Sequence, residues 1–268
     1  MKYIIFFLSI MCYSQVNRFV YKIDYKRDST IEKYNKTQAI LEVSKSELSF
    51  YEYSSYKLDS INIKEKSNSK TIPPLNININ RKIGSYINNN YVFVSSSYFY
   101  YESNDKITWT LHEDKKAFGQ FNLQKATARY GGRNWVAWFT EEIPISEGPY
   151  KFSGLPGLIF EIYDDKENYK FTLLEMYQIK DKNEIWIPSK IYGMKSVQIS
   201  HNKYNTLLLI DYNNPFQEFR SMTGDWTLAA YGKTIKTVEG LNEIRNIHQQ
   251  IIKKNYNPIE LDKAVLYK

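Results

Sequence analysis

The sequence predicts a mainly β protein, a curved antiparallel sheet or partly open barrel with an amphipathic helix near the C-terminus. Three observations carry that expectation. Apolar residues recur mostly with period two, the mark of strands that bury one face. The pair Gly131-Gly132 sits between two such runs and supplies the positive φ values that a two-residue hairpin turn needs. Helical spacing is concentrated late in the chain, where Leu241, Ile244, Ile247, Ile251 and Ile252 recur three and four residues apart.

Taken in order, Phe19 to Tyr25, Ala39 to Val43, Leu48 to Tyr53 and Tyr91 to Tyr101 read as strands. Residues 64–90 hold the polar run KEKSNSK, then Pro73, Pro74 and an Asn-rich stretch, and read as a long loop and candidate mobile segment. Its alternating NININ offers at most a poor edge strand. Ala126 to Tyr130 and Arg133 to Phe139 form the Gly-Gly hairpin. In its second strand Trp135, Ala137 and Phe139 share one face and Val136 and Trp138 the other, so both faces are expected to be covered. Leu158 to Tyr163 pairs with Tyr169 to Ile179 across the polar turn Asp164 to Asn168. Along that last strand Tyr169, Phe171, Leu173, Tyr177 and Ile179 share a face interrupted by Glu175. The C-terminal helix stops before Asn257-Pro258, because a residue preceding proline disfavours helical backbone, and its stripe is expected on a sheet face. Neither a repeat nor an interdomain linker is visible, so residues 15–268 read as a single β-rich domain.

The chain opens MKYIIFFLSIMCYSQ, with Lys2 before an apolar run from Tyr3 to Met11 and small or polar residues near Ser14. This reads as a signal peptide, residues 1–14, too short to span a bilayer as a helix. The expected destination is the periplasm or the outer-membrane or extracellular face. The single cysteine, Cys12, lies inside this segment, so the mature chain has no disulfide, no cysteine nucleophile and no cysteine zinc site. Membrane association would follow only from lipidation of Cys12, and Met11 before it argues against that. The net charge of +7 is dispersed from one end to the other. Together with export, this speaks against nucleic acid as a partner.

The stretch Gly148 to Ile159, GPYKFSGLPGLI, concentrates three glycines and two prolines between strand-like segments. Such residues fix backbone shape and carry no nucleophile, acid or metal ligand. It also lacks the spacing of a phosphate-binding loop. Arg133, beside Gly132, can hold a carboxylate or phosphate bidentately, with Trp135 and Trp138 lining a pocket, or it can pair with a structural carboxylate such as Asp164. Lys151 divides the same way between a partner's acid and a local ion pair. The histidines, His112, His201 and His248, are far apart, so no metal site is assigned. Glu141-Glu142 and Asp164-Asp165 are sequence neighbours that point apart on a strand, and no catalytic residue or cofactor is assigned.

The residues from Trp109 to Asp164 resemble the signature of the GLPGLI family of exported Bacteroidetes-type proteins. The hexapeptide is Gly154-Leu155-Pro156-Gly157-Leu158-Ile159. Around it stand Lys125-Ala126, Gly132-Arg133, Ala137-Trp138-Phe139-Thr140, Ile143-Pro144-Ile145, Gly148-Pro149 and Lys151-Phe152, with Asn257-Pro258-Ile259-Glu260-Leu261 near the end. The N-terminal third is similar only in general character. Many relatives carry a cysteine just before the Lys-Ala pair, where this chain has Phe121-Asn122-Leu123, so a disulfide there is absent. The resemblance implies export, a β-rich fold and an association with TonB-dependent outer-membrane receptors, and it implies no established activity. The expected function is that of a non-enzymatic binding or accessory protein, with Arg133, Trp135, Trp138 and Lys151 as ligand or partner contacts. The alternatives are an apolar-ligand or lipid carrier using a concave sheet face, and a hydrolase using dispersed carboxylates such as Asp164 or Glu142. The motif itself is expected to close the edge of the core with Leu155, Leu158 and Ile159 buried, and Gly157 is a candidate for positive φ.

Overall fold

The computed structural model describes residues 15–67, 74–95, 97–179, 185–188 and 195–268. The expected signal peptide and Cys12 lie outside the described residues. The strands are β1 (Val16–Tyr25), β2 (Asn35–Val43), β3 (Glu47–Glu52), β4 (Asn78–Lys82), β5 (Ile87–Val94), β6 (Ser97–Asn104), β7 (Thr110–Phe118), β8 (Phe121–Tyr130), β9 (Arg133–Thr140), β10 (Leu158–Asp164), β11 (Tyr169–Ile179), β12 (Val197–Gln198), β13 (Leu228–Ala230) and β14 (Lys233–Ile235). The helices are α1 (Tyr53–Glu65), α2 (His201–Asn213), α3 (Gln217–Arg220) and α4 (Val238–Lys254).

Among the described residues twelve strands form one sheet in the order β12-β6-β5-β4-β3-β2-β1-β11-β10-β9-β8-β7. All its pairings are antiparallel except the short β12 beside β6. Two meanders therefore stand back to back, joined where β1 pairs with β11. The far strands of the two meanders, β6 and β7, are consecutive in the chain. Residues 105–109 join them, and so short a connection spans at most about 20 Å. Opposite sides of the sheet must therefore approach each other, and the sheet curls into an unclosed barrel.

Phe19, Tyr21, Ile23, Leu41, Phe50, Trp135, Phe139 and Phe171 fill the inner face. The connection from β9 to β10 folds into this interior, where Phe152 packs on Trp135 at 4.5 Å between ring centroids and touches Tyr130 and Phe171. The outer face near β2 and β3 is also buried, beneath α1. Tyr51 packs on Trp186 at 4.4 Å, and Trp186 donates its backbone N–H to Glu42 Oε2 at 2.6 Å. Glu42 also pairs with the buried Arg18.

Four expectations change. Tyr91 to Tyr101 is two strands, β5 and β6, with a turn at Ser95, whose φ is 47°. The Asn-rich part of 64–90 forms β4 and the start of β5 inside the sheet. Its amides bond to neighbouring strands: Asn80 Nδ2 donates to Leu48 O at 3.0 Å, and Asn90 Nδ2 to Tyr101 O at 3.1 Å. On β11 a bulge opposite Val20/Tyr21 takes Leu174 out of register, so Tyr177 and Ile179 leave the face of Tyr169, Phe171 and Leu173. The stripe of α4 buries Leu241 and Ile244 against Ile235 of the small β13–β14 sheet, with Phe216 and Phe219 at α3 and Trp226 packed on them, and the large sheet takes no part in that cluster.

Candidate functional site

The turn at Gly131-Gly132 has φ values of 62° and 74°, as a two-residue hairpin requires, and it receives the C-terminal segment. Leu261 donates its backbone N–H to Gly131 O at 2.6 Å. A Cβ at Gly131 would stand 3.1 Å from Glu260 Cγ, so the turn is small because the segment lies on it.

Arg133, at the start of β9, clamps the same segment. Its Nε donates to Ile259 O at 3.0 Å, and its Nη2 donates to Asn257 Oδ1 and to Pro258 O, each at 2.7 Å. Its Nη1 donates to Asp164 Oδ2 at 3.0 Å, and the guanidinium lies over the Tyr169 ring. Asp164 in turn accepts from Asn168 Nδ2 at 3.0 Å and from the Tyr169 N–H at 2.7 Å. A planar fork of donors suits a chain that presents two carbonyls and an amide oxygen at once.

Lys151 lies on the interior connection and is fully buried. Its Nζ donates to Glu260 Oε1 at 2.6 Å and to Ser103 Oγ at 3.2 Å, and pairs with Asp105 Oδ2 at 3.3 Å. Lys263 joins both carboxylates, at 3.1 Å from Asp105 Oδ1 and in contact with Glu260. Two acids and two lysines thus balance inside the protein. Burial by itself would push the Asp105 carboxyl up, but Lys151, Ser103 and Lys263 hold it down to about 2. Glu260 is likewise lowered, Lys151 and Lys263 outweighing the effect of burial. Asp105 sits in the short connection between β6 and β7, so this cluster ties the barrel's seam to the C-terminal segment.

Beside the cluster opens a cavity of about 650 Å³. Tyr25, Tyr101, Tyr150 and Tyr169 come from the barrel interior, His201, Tyr204, Asn205 and Leu208 from α2, and Ile251 and Ile252 from the end of α4. Residues 256–260 with Lys263, Val265 and Tyr267 close it. Tyr101 stacks on Tyr204 at 5.4 Å and meets the edge of His201 at 4.9 Å. Burial raises the phenols of Tyr101 and Tyr204, so both keep their protons and act as donors. Burial and then the Lys263 charge push the His201 imidazole below its usual range, so it is neutral near pH 7. Asn205 Oδ1 is a buried acceptor without a hydrogen-bond partner among the described residues. The wall therefore offers ring faces, neutral donors and a free acceptor around a compensated ion pair, with exposed Arg27 as a further lining cation.

The four residues expected to make contacts do not converge on this cavity as a set. Arg133 and Lys151 support the segment that closes it. Trp135 is buried in the core and donates Nε1 to Tyr130 O at 3.0 Å. Trp138 lies on the other face of β9 under Lys116 Nζ, 4.4 Å from its ring centroid. In the GLPGLI stretch Leu155, Leu158 and Ile159 are buried and Pro156 is exposed, while Tyr21 donates to Ile159 O at 2.6 Å. Positive φ falls on Gly154, at 92°, and not on Gly157. Gly148 is small for packing, since a Cβ there would stand 2.7 Å from Ile159 Cδ1. Tyr101, His201, Tyr204 and Lys263 were beyond sequence reasoning. They come from three separate segments, with His201 and Tyr204 three residues apart on α2, Tyr101 on β6 and Lys263 near the C-terminus, and the abundance of tyrosine was the sole hint.

A family model described as "Protein of unknown function (Porph_ging)" matches residues 131–161, from the Gly-Gly turn through β9 and the interior connection into β10. No curated protein matches the chain. Among solved structures, that of PNGF-II in the C2 space group superposes with a TM-score of 0.50 at 12% identity, covering 72% of this chain and 32% of that one. PNGF-II in the P21 space group gives a TM-score of 0.49 at 12% identity, covering 72% and 33%. The chain thus matches about a third of the length of PNGF-II, and what it shares with the C2 structure at that identity is the fold.

Proposed function

We propose that this chain is an exported, GLPGLI-type protein of the cell envelope that works by binding, with its ligand held in the tyrosine-walled cavity. The observation that carries the reading is the cavity itself. Its volume, about 650 Å³, falls in the range of small-molecule sites, and its wall combines apolar rings with a few fixed polar groups. A ligand that suits it has apolar surface for the tyrosines and Ile251, and a hydrogen-bond donor for Asn205 Oδ1. The carrier reading on the open sheet face is less favoured, because Phe152 and its neighbours fill that face. The partner class that fits an envelope accessory role is a TonB-dependent outer-membrane receptor, met through the outer surface.

Native mass spectrometry of protein gently extracted from envelopes tests the cavity. A bound small molecule is expected in the wild type and lost in Leu208→Trp, which fills the space from α2, with an unchanged melting temperature. Protein from native envelopes that carries no ligand, or carries it equally in Leu208→Trp, would refute the site. Enrichment of a receptor in mild detergent tests the partner separately.

A further inference from the structure

Three polar groups outside the cavity form a relay across α2, α4 and the β13–β14 turn. Tyr231 Oη lies 2.6 Å from His248 Nδ1. His248 Nε2 lies 3.1 Å from Asp211 Oδ2. Asp211 Oδ1 accepts from Ser95 Oγ at 3.1 Å, which fixes the carboxylate from the β5–β6 turn. This arrangement suits the imidazole tautomer that donates Nε2–H to Asp211 and accepts the phenol proton at Nδ1. A nucleophile within reach of a base that is oriented by a third group is the geometry of an activated side chain.

Two further features separate Tyr231 from an ordinary surface tyrosine. Its φ is 51°, a strained value for a bulky residue, and Gly232 follows at 74°, so the phenol is displayed on a tight turn. It is also 43% exposed while its base is largely covered, with 12% of the His248 side chain accessible. A tyrosine partly open to solvent is thus backed by a shielded imidazole and a carboxylate.

We propose that Tyr231 is a nucleophilic acceptor site for an acyl group from an activated acyl donor, with His248 as its base and Asp211 as the positioning residue. In the step, Tyr231 Oη attacks the donor's carbonyl carbon and forms a new C–O bond. The bond to the leaving group breaks, and the leaving group departs with the electron pair. The phenol proton passes to His248 Nδ1, and Asp211 stabilises the imidazolium until solvent removes that proton. Tyr231 keeps its proton until the base takes it, since burial and then the Asp211 charge raise its phenol. None of the three residues lines the cavity, so the site stands apart from the binding reading.

The test uses p-nitrophenyl acetate as the acyl donor on the full chain, with peptide mass spectrometry locating the acetyl group. Tyr53 and Tyr86, each 40% exposed, are references inside the same molecule and need no variant. Tyr231 is expected to acetylate tenfold faster or more than either. His248→Gln is expected to remove that advantage, and Asp211→Asn to reduce it. Labelling of Tyr231 no faster than of Tyr53 and Tyr86, or a rate that follows only phenol ionisation, would overturn the proposal. That outcome would leave the three groups as a tie between the hairpin and the two helices.

Discussion

Gly157 lies so close to the end of β9 that a Cβ on it would stand 2.6 Å from the Thr140 carbonyl carbon and closer still to its oxygen. These two residues form the neck through which the interior connection enters and leaves, since Leu158 pairs with Thr140 across β9 and β10. Gly157 is therefore required by a close approach of two backbones. Gly157→Ala is expected to cost about 4 kcal/mol or more, or to prevent folding, because main chain must move. Gly154→Ala has open space around it but keeps a φ of 92°, and is expected to cost about 1 kcal/mol. Urea unfolding of both variants checks the order, and equal losses would refute it.

Arg133 predicts how the C-terminal segment is held. Arg133→Ala leaves Asp164 buried without its cation and frees Pro258 O and Ile259 O, an expected loss of about 3–5 kcal/mol. Arg133→Lys keeps the charge without the fork, so it is expected to restore the ion pair while leaving the segment loose. Limited proteolysis reads this out, with cleavage near residues 255–262 appearing in Arg133→Lys before the barrel opens. Resistance equal to the wild type would show that the fork is dispensable.

The buried acids predict sensitivity on the acid side. Asp105 is lowered from 3.8 to about 2, and Glu260 is lowered as well. A carboxyl with a depressed folded value contributes stability that is present above its unfolded value and lost as the pH falls through the folded one. The expected loss from Asp105, on the order of 2 kcal/mol, falls between about pH 4 and pH 2. Asp105→Asn is expected to be less stable at neutral pH and to converge on the wild type near pH 2. Denaturation series across that range decide it.

Glu52 works in the opposite direction. It is fully buried at the end of β3 and accepts the Leu75 N–H at 2.9 Å, and burial pushes its carboxyl up to about 7 against these backbone donors. A raised carboxyl gives stability that is present below the unfolded value of about 4.5 and lost as the pH rises through 7. The difference is on the order of 3 kcal/mol. Glu52→Gln is expected to flatten the stability profile between about pH 4.5 and pH 7, and parallel profiles for the two proteins would contradict this.

Much of the barrel was legible because period-two burial and turn residues are local signals. The Gly131-Gly132 hairpin, the strands around it and the helix ending before Asn257-Pro258 all follow from neighbours in sequence. Helix α1 was not legible, since YSSYKLDSINIKE carries no apolar stripe and is held by distant residues, with Tyr56 against Tyr51 of β3 and Trp186, and Asp59 accepting from Trp186 Nε1. The Asn-rich strands were hidden for a related reason. Asparagine favours turns until another strand's backbone receives its amide.

The site divides in the same way. A β-rich chain, a motif of shape-forming residues, and Arg133 and Lys151 as charged groups that demand partners can be read from the residues alone. It takes the folded chain to make those partners Asp164, Asp105, Glu260 and the carbonyls of residues 258–259, and to turn Leu155 of GLPGLI inward while Pro156 stays in solvent. The reason is that a buried charge fixes the need for compensation, while the fold alone fixes which distant segment supplies it.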